Sequence, residues 1–309
     1  MNKRIGFVPP SAKGAIATHL PLPEDYIVTD SAAVRVIECA VDAMGEGIAL
    51  SAVLLDGPPG VGKTFLAKSV AKAIGAKLLL FQFFPGCGKE ELLRDKTIDG
   101  TLVAGVIPLA IASSLEKKTV LILNELDKAE VAVDSFLLDF INEAQVFIPQ
   151  LGGELKADNS NLLIAITKND QRDATEALLR RCRVVYMNWP SIETETRFIM
   201  NYNPWATKKL CEIFIEAANQ LRRHPGVRKK PSTPEIVRLV GDCWRIRNQG
   251  MTLLEWSQFI ITGLVPLPQD RKYLDQNPMA IAAEVRSELD EIHNAGILST
   301  GIELSFPAP

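Results

Sequence analysis

The segment Gly57-Pro58-Pro59-Gly60-Val61-Gly62-Lys63-Thr64 constrains this chain most, because of what flanks it. Before it runs Ala52-Val53-Leu54-Leu55; after it Leu66, Val70 and Ile74 recur every fourth position until Gly75. The first run has strand character and the second has helical spacing, so a glycine-rich turn joins a strand to a helix. Glycines let such a turn fold tightly enough for several N–H groups to converge, and the helix behind adds the positive end of its dipole. A cradle of this kind takes an anion. Lys63 would reach the β- and γ-phosphate oxygens of a nucleotide, and the Thr64 hydroxyl would ligate the magnesium ion that travels with them. The predicted binding segment is therefore Gly57, Pro58, Pro59, Gly60, Val61, Gly62, Lys63, Thr64 and the adjoining Phe65, with ATP and Mg2+ as cofactors. The plainer alternative is a Gly-Pro turn that happens to precede a lysine.

Apolar patterning extends this unit into an alternating β/α scheme. Strands are predicted at 52–55, 77–84, 119–123, 162–167 and 183–187, and helices at 32–44, 63–74, 108–115, 131–143 and 175–181. Strands so uniformly apolar belong to a parallel sheet covered on both faces and joined by right-handed crossovers. Two hairpins interrupt the scheme, one around Asp99-Gly100 and one bridged by Gly152-Gly153. From Ser191 onward only helical segments follow, separated by proline- or glycine-bearing turns. The expected organisation is an extension over 1–28, an αβα core over 29–190 carrying both hairpins, and a helical region over 191–309.

Composition narrows the function classes. With 309 residues and a net charge of -3, the chain has room for a core and a smaller second unit but no global basic field to recruit nucleic acid. Five cysteines without a C-x-x-C pair argue against both a disulfide framework and a zinc site. No apolar stretch approaches the roughly twenty residues that cross a bilayer, and the start lacks the long apolar segment of a secretory signal. The cytoplasm, and no membrane partner, is the expectation.

A phosphate cradle needs acids on a neighbouring strand, and Thr119-Val120-Leu121-Ile122-Leu123-Asn124-Glu125-Leu126-Asp127 supplies them. At the carboxyl end of a parallel strand, Glu125 would face the nucleotide crevice and orient the water that attacks the γ-phosphate. Asn124 keeps hydrogen-bonding capacity beside the cation but brings no negative charge. A buried strand followed by a solvated acidic turn is the structural alternative.

Four elements in order make the chain resemble the AAA+ ATPases, and within them the MoxR-like group with its dynein-related relatives: Gly57 to Thr64, Leu123 to Ala129, Ile166-Thr167-Lys168-Asn169, and Glu176-Ala177-Leu178-Leu179-Arg180-Arg181. Gln82-Phe83 and the hairpin after the 131–143 helix are similar to that group too, and the resemblance covers roughly residues 30 to 245. It implies a P-loop NTPase fold, an αβα sandwich on a five-stranded parallel sheet followed by a smaller all-helical lid. It also implies magnesium at Thr64 and Asn124, and Asn169 as the polar sensor beside the γ-phosphate. Arg181, with Arg180 as understudy, would be the arginine finger offered to a neighbouring subunit. A ring follows, usually of six protomers, acting on a client protein. As alternatives, an asparagine at a strand end also forms turns, and an arginine pair also suits a helix end. Where the group often carries a second sensor arginine this chain has Pro234, and Arg238 lies one turn further on.

The remaining features carry less. His19, His224 and His293 lack metal-ligand spacing and read as surface or capping residues, and the four tryptophans read as packing. The basic run from Arg222 to Lys230 reads as a solvated loop between helices, with nucleic acid or an acidic partner as the alternative. The reading is an ATP-hydrolysing remodelling motor. Its rivals are a nucleotide-gated scaffold with weak hydrolysis, motivated by Asn124 and Pro234, and the motor subunit of a DNA-directed machine.

Overall fold

The computed structural model describes residues 31–96, 102–149, 153–169, 171–273 and 278–300. The chain divides between Trp189 and Pro190 into two compact units.

In the first unit the strands are β1 (Ser51–Asp56), β2 (Lys77–Gln82), β3 (Arg94–Lys96), β4 (Leu102–Ala104), β5 (Thr119–Asn124), β6 (Gln145–Ile148), β7 (Gly153–Lys156), β8 (Leu162–Thr167) and β9 (Arg183–Tyr186). The helices are α1 (Ser31–Glu46), α2 (Lys63–Ala73), α3 (Glu90–Leu93), α4 (Val106–Ser114), α5 (Val131–Glu143) and α6 (Glu176–Leu179). Five strands form one sheet in the order β2-β5-β8-β1-β9, and every pairing in it is parallel, as the apolar strand pattern predicts.

Alternation along the strands creates the layers. Leu54, Leu121, Leu123, Ile164 and Ile166 pack into one cluster with Ile107 and Ile111 of α4 and Leu137 and Phe140 of α5. Val53, Leu55, Val120, Ile122 and Leu163 pack into another with Ile37 and Met44 of α1 and Leu66 and Val70 of α2. Covering is complete only in the middle of the sheet. On the edge strands, Leu78 and Leu80 of β2 and Val184 and Tyr186 of β9 are exposed, because an edge strand has a neighbour on one side alone. β3 pairs with β4 and β6 with β7, both antiparallel. The Asp99-Gly100 turn, Gly152, the predicted 1–28 extension and His19 lie outside the described residues.

The second unit is built from helices α7 (Ile192–Tyr202), α8 (Lys208–Arg223), α9 (Thr233–Ile246), α10 (Leu253–Leu264) and α11 (Pro278–Thr300). Their inward faces bury Leu210, Phe214, Ile236, Val240, Trp256, Ile260 and Val285. Serine and threonine start two of the helices: Ser232 with Glu235 on α9, and Thr252 with Glu255 on α10, form reciprocal capping boxes. Trp205 stacks on Trp244 with ring centroids 4.5 Å apart, and the Arg247 guanidinium lies 3.8 Å from the Trp244 ring.

The basic run departs from a uniformly solvated loop. Arg222 is buried, and its guanidinium donates to both carboxylate oxygens of the fully buried Glu195 at 2.8 Å each. Lys229 pairs with Glu235 at 2.8 Å, and His224 stacks on Tyr273. The pattern of charges alone could not reveal this, because the partner of Arg222 lies 27 residues earlier in the chain.

Candidate nucleotide-binding site

Strand register gathers the site at one end of the sheet. Gln82 pairs with Asn124, Leu123 with Ile166 and Leu55 with Thr167, so the exits of β2, β5, β8 and β1 are level. The glycine-rich turn leaves β1 in conformations that other residues rarely adopt: Gly57 at φ +133, Gly60 at +83 and Gly62 at +98. At Gly57 there is no room besides, since a Cβ would stand 2.2 Å from the Met187 carbonyl oxygen. Lys63 opens α2, and Phe65 in the same turn is exposed.

Lys63 is buried, and its ammonium donates to the carbonyls of Gly57 (2.5 Å) and Pro58 (2.7 Å) and to the side-chain oxygen of Asn169 (2.9 Å). The predicted lysine and the predicted sensor asparagine, 106 residues apart, thus share one hydrogen bond. The Thr64 hydroxyl donates to Asn124 Oδ1 at 2.5 Å, and the Thr167 hydroxyl donates to the same oxygen at 2.8 Å. Asn169 is held by its own N–H, which donates to Asp127 Oδ1 at 2.9 Å.

Glu125 follows β5 with φ 61 and ψ 54, a left-handed backbone unusual for a residue with a side chain. That conformation turns the chain out of the strand into the 3-10 turn Leu126–Lys128. Its carboxylate pairs with Lys128 at 2.5 Å and accepts from Gln82 Nε2 at 2.7 Å. Burial pushes the Glu125 carboxyl up, but the bond to Lys128 and its charge, with Gln82 and Asn169, outweigh burial and hold it below the ordinary carboxylate value. It is therefore an anion at neutral pH.

Charged residues to which the sequence assigned no role complete the site. Lys168 is buried and donates to both oxygens of Asp56 at 2.8 Å, while Asp56 accepts the Gly57 N–H at 2.7 Å. This ties the start of the turn to the end of β8. Arg172 donates to the carbonyls of Leu126 (3.1 Å) and Ala129 (3.2 Å) and to both oxygens of the fully buried Asp134 (2.7 and 3.1 Å). The turn after Glu125 and the loop after Asn169 are thereby fastened together. Two basic residues flanking Asn169, Lys168 before it and Arg172 three positions after it, were the signal the sequence offered, but neither names its partner.

Arg180 is exposed and pairs with Glu176 at 3.0 Å, and Arg181 is exposed as well. Among the described residues no hydrogen bond or ion pair links either arginine to Lys63, Thr64, Glu125 or Asn169. On α9, Pro234 and Arg238 are exposed.

A glycine-rich turn wrapped over a parallel sheet, with a buried lysine where it enters α2 and a carboxylate just past the end of β5, one strand removed from β1, defines a phosphate-loop nucleotide-binding domain. The family described as "AAA domain (dynein-related subfamily)" matches residues 52–209, and the chain belongs to it. It is an ATPase domain of that class. Lon protease of Leptospira interrogans is 26% identical over 190 residues, covering 59% of this chain and 22% of that protein. Lon protease of Chlamydia trachomatis is 25% identical over 291 residues, covering 84% of this chain and 35% of that protein. The chain thus spans about a fifth to a third of these curated relatives. A crystal structure of a Cytophaga hutchinsonii protein assigned as an ATPase aligns with 87% of this chain and 90% of that one, at 18% identity and a TM-score of 0.43.

Proposed function

We propose that the protein is a MoxR-like, magnesium-dependent ATPase that assembles into a homo-oligomeric ring and couples ATP hydrolysis to the remodelling of a partner protein. The carrying observation is that Lys63 and Asn169 share a hydrogen bond, with the Glu125 carboxylate beside them. Phosphoryl transfer asks mainly for positioning and charge stabilisation, and these are the groups that supply both. Lys63 would exchange its contacts to Gly57 and Pro58 for β- and γ-phosphate oxygens. Glu125 would accept a hydrogen bond from the attacking water, and Asn169 would hold that water beside the γ-phosphate.

The oxygen donors suit magnesium, a hard cation that is held by few protein groups and by the phosphates themselves. By donating its proton to Asn124, Thr64 turns its lone pairs away and leaves them for the ion. Magnesium, when bound, neutralises charge on the phosphates. Because Arg181 and Arg180 are exposed, the nucleotide of a neighbouring subunit is what they would reach, and an isolated protomer would be nearly inert. The β6–β7 hairpin, with Phe147 71% exposed, would face the partner.

All five cysteines are unpaired, which suits the cytoplasm, and no helix among the described residues is long and apolar enough to cross a membrane. The basic run supports nucleic acid weakly, because Arg222 and Lys229 are already paired. Asn124 favours a second reading, a nucleotide-gated scaffold with weak hydrolysis, since it puts a neutral group beside the cation. Both are tested by ATP turnover and ATP binding of the assembled protein, Lys63→Ala and Glu125→Gln. The motor reading expects Glu125→Gln to bind ATP and to lose at least about a hundredfold in turnover. Three equal turnover rates would eliminate hydrolysis at this site.

A further inference from the structure

A closed, directional circuit of hydrogen bonds begins and ends on Glu125. Its backbone N–H donates to Thr167 Oγ1 at 3.0 Å, and the Thr167 hydroxyl donates to Asn124 Oδ1 at 2.8 Å. Asn124 Nδ2 donates in turn to Gln82 Oε1 at 2.5 Å, and Gln82 Nε2 donates to the Glu125 carboxylate at 2.7 Å. The circuit works in one direction only, because Glu125 Oε2 can accept and never donate. That fixes which end of Gln82 faces it, and hence that the neighbour on the other side must supply a proton to Gln82 Oε1. Position 124 must therefore accept and donate at once, from the hydroxyls on one side and to Gln82 on the other. A carboxamide does both; a carboxylate only accepts.

We propose that Asn124 is a positioning residue for Glu125, acting through Gln82, so that the carboxamide at 124 is required for hydrolysis. This rests on the reading of Glu125 as the residue that orients water. An aspartate at 124 would capture the amide protons of Gln82, turn the Gln82 oxygen toward Glu125 and set two oxygens against each other. Asn124 Oδ1 already receives two hydroxyl protons, which fills both of its lone-pair directions. It thus acts on the cation through Thr64 instead of as a direct ligand. Freed from Gln82, the Glu125 carboxylate keeps only Lys128 and Asn169 among these partners, and its direction toward the attacking water is no longer fixed from the β2 side.

The test is a two-residue cycle in the full chain, with kcat and the dissociation constant of a fluorescent ATP analogue measured for Gln82→Leu, Asn124→Asp and the double variant, and Glu125→Gln run beside them. Gln82 is exposed, so its replacement leaves the core untouched. Each single change is expected to lower kcat about tenfold with nucleotide affinity kept within about twofold, and the double variant to be no worse than Gln82→Leu alone. A purely structural role would move affinity or unfolding temperature along with kcat, and its effects would multiply. Gln82→Glu, which still accepts from Asn124 but gives nothing to Glu125, should reproduce the loss. The proposal is overturned if Asn124→Asp raises kcat while Gln82 is present, or if the two losses multiply. An unaffected Glu125→Gln would overturn the underlying hydrolysis reading; an inactive Glu125→Gln beside an unaffected Gln82→Leu would overturn the circuit alone.

Discussion

Removing Arg172 should unfasten the end of the sheet that carries Glu125 at a predictable energetic cost. In Arg172→Met the Leu126 and Ala129 carbonyls lose a donor, and Asp134, with no exposed surface, retains among the described residues only the Thr175 N–H at 2.8 Å. Stranding one partner of a buried pair costs about 3–5 kcal/mol. The Arg172 side chain keeps 18% of its surface in solvent, so the lower end, about 3 kcal/mol, applies. In a unit of this size that corresponds to a fall in unfolding temperature of roughly 6–12 °C. Arg172→Met/Asp134→Asn should recover about half, because a neutral carboxamide tolerates burial where an unpaired carboxylate does not. Calorimetry on the three proteins gives the energies, and ATP turnover below the transition shows whether a loosened Leu126–Lys128 turn also misplaces Glu125. A loss under about 1 kcal/mol, or a double variant no more stable than the single one, would refute the reasoning.

Gly57→Ala should abolish ATP binding in a fluorescence titration while Gly45→Ala leaves it intact, because a Cβ at Gly57 meets the Met187 carbonyl oxygen at 2.2 Å and one at Gly45 meets nothing within 4 Å among the described residues. The Glu235 carboxyl is raised by burial but lowered further by Lys229 and Ser232, so its net position is below 4.5. Its contribution is present above the unfolded value near 4.5 and is lost as pH falls through the lower folded value. Urea midpoints taken from pH 3 to 6 should therefore rise less steeply in Glu235→Gln. Burial pushes the Cys182 thiol up to about 12, so it stays protonated at pH 8. Brief iodoacetamide treatment followed by peptide mapping should spare Cys182 and modify the exposed Cys39 first.

Much of the fold was legible because it rests on local patterns. The strand runs from Ala52, Thr119 and Leu162, and the helical spacing of Leu66, Val70 and Ile74, each predict an element within a residue or two of its observed bounds. Chain order alone did not reveal how β2 and β9 would fare as edge strands, since exposure there depends on which strand lacks a second neighbour. The site divides in the same way. Lys63, Thr64, Glu125 and Asn169 belong to recognisable runs, and the sheet brings those runs together. Asp56 with Lys168, and Asp134 with Arg172, were missed because they are ordinary charges whose partners lie 112 and 38 residues away. Pairing at that distance is fixed by strand register for Asp56 with Lys168, and for Asp134 with Arg172 by how α5 meets the loop after β8; no local pattern encodes either.

The left-handed backbone at Glu125 sets stability against purpose. A side chain held in that region costs about 1–2 kcal/mol relative to the ordinary helical one, and glycine would relieve most of it. On the proposed reading, a library randomised at this codon and selected only for heat resistance should drift toward glycine or asparagine, yielding hardier proteins that hold nucleotide and cannot split it.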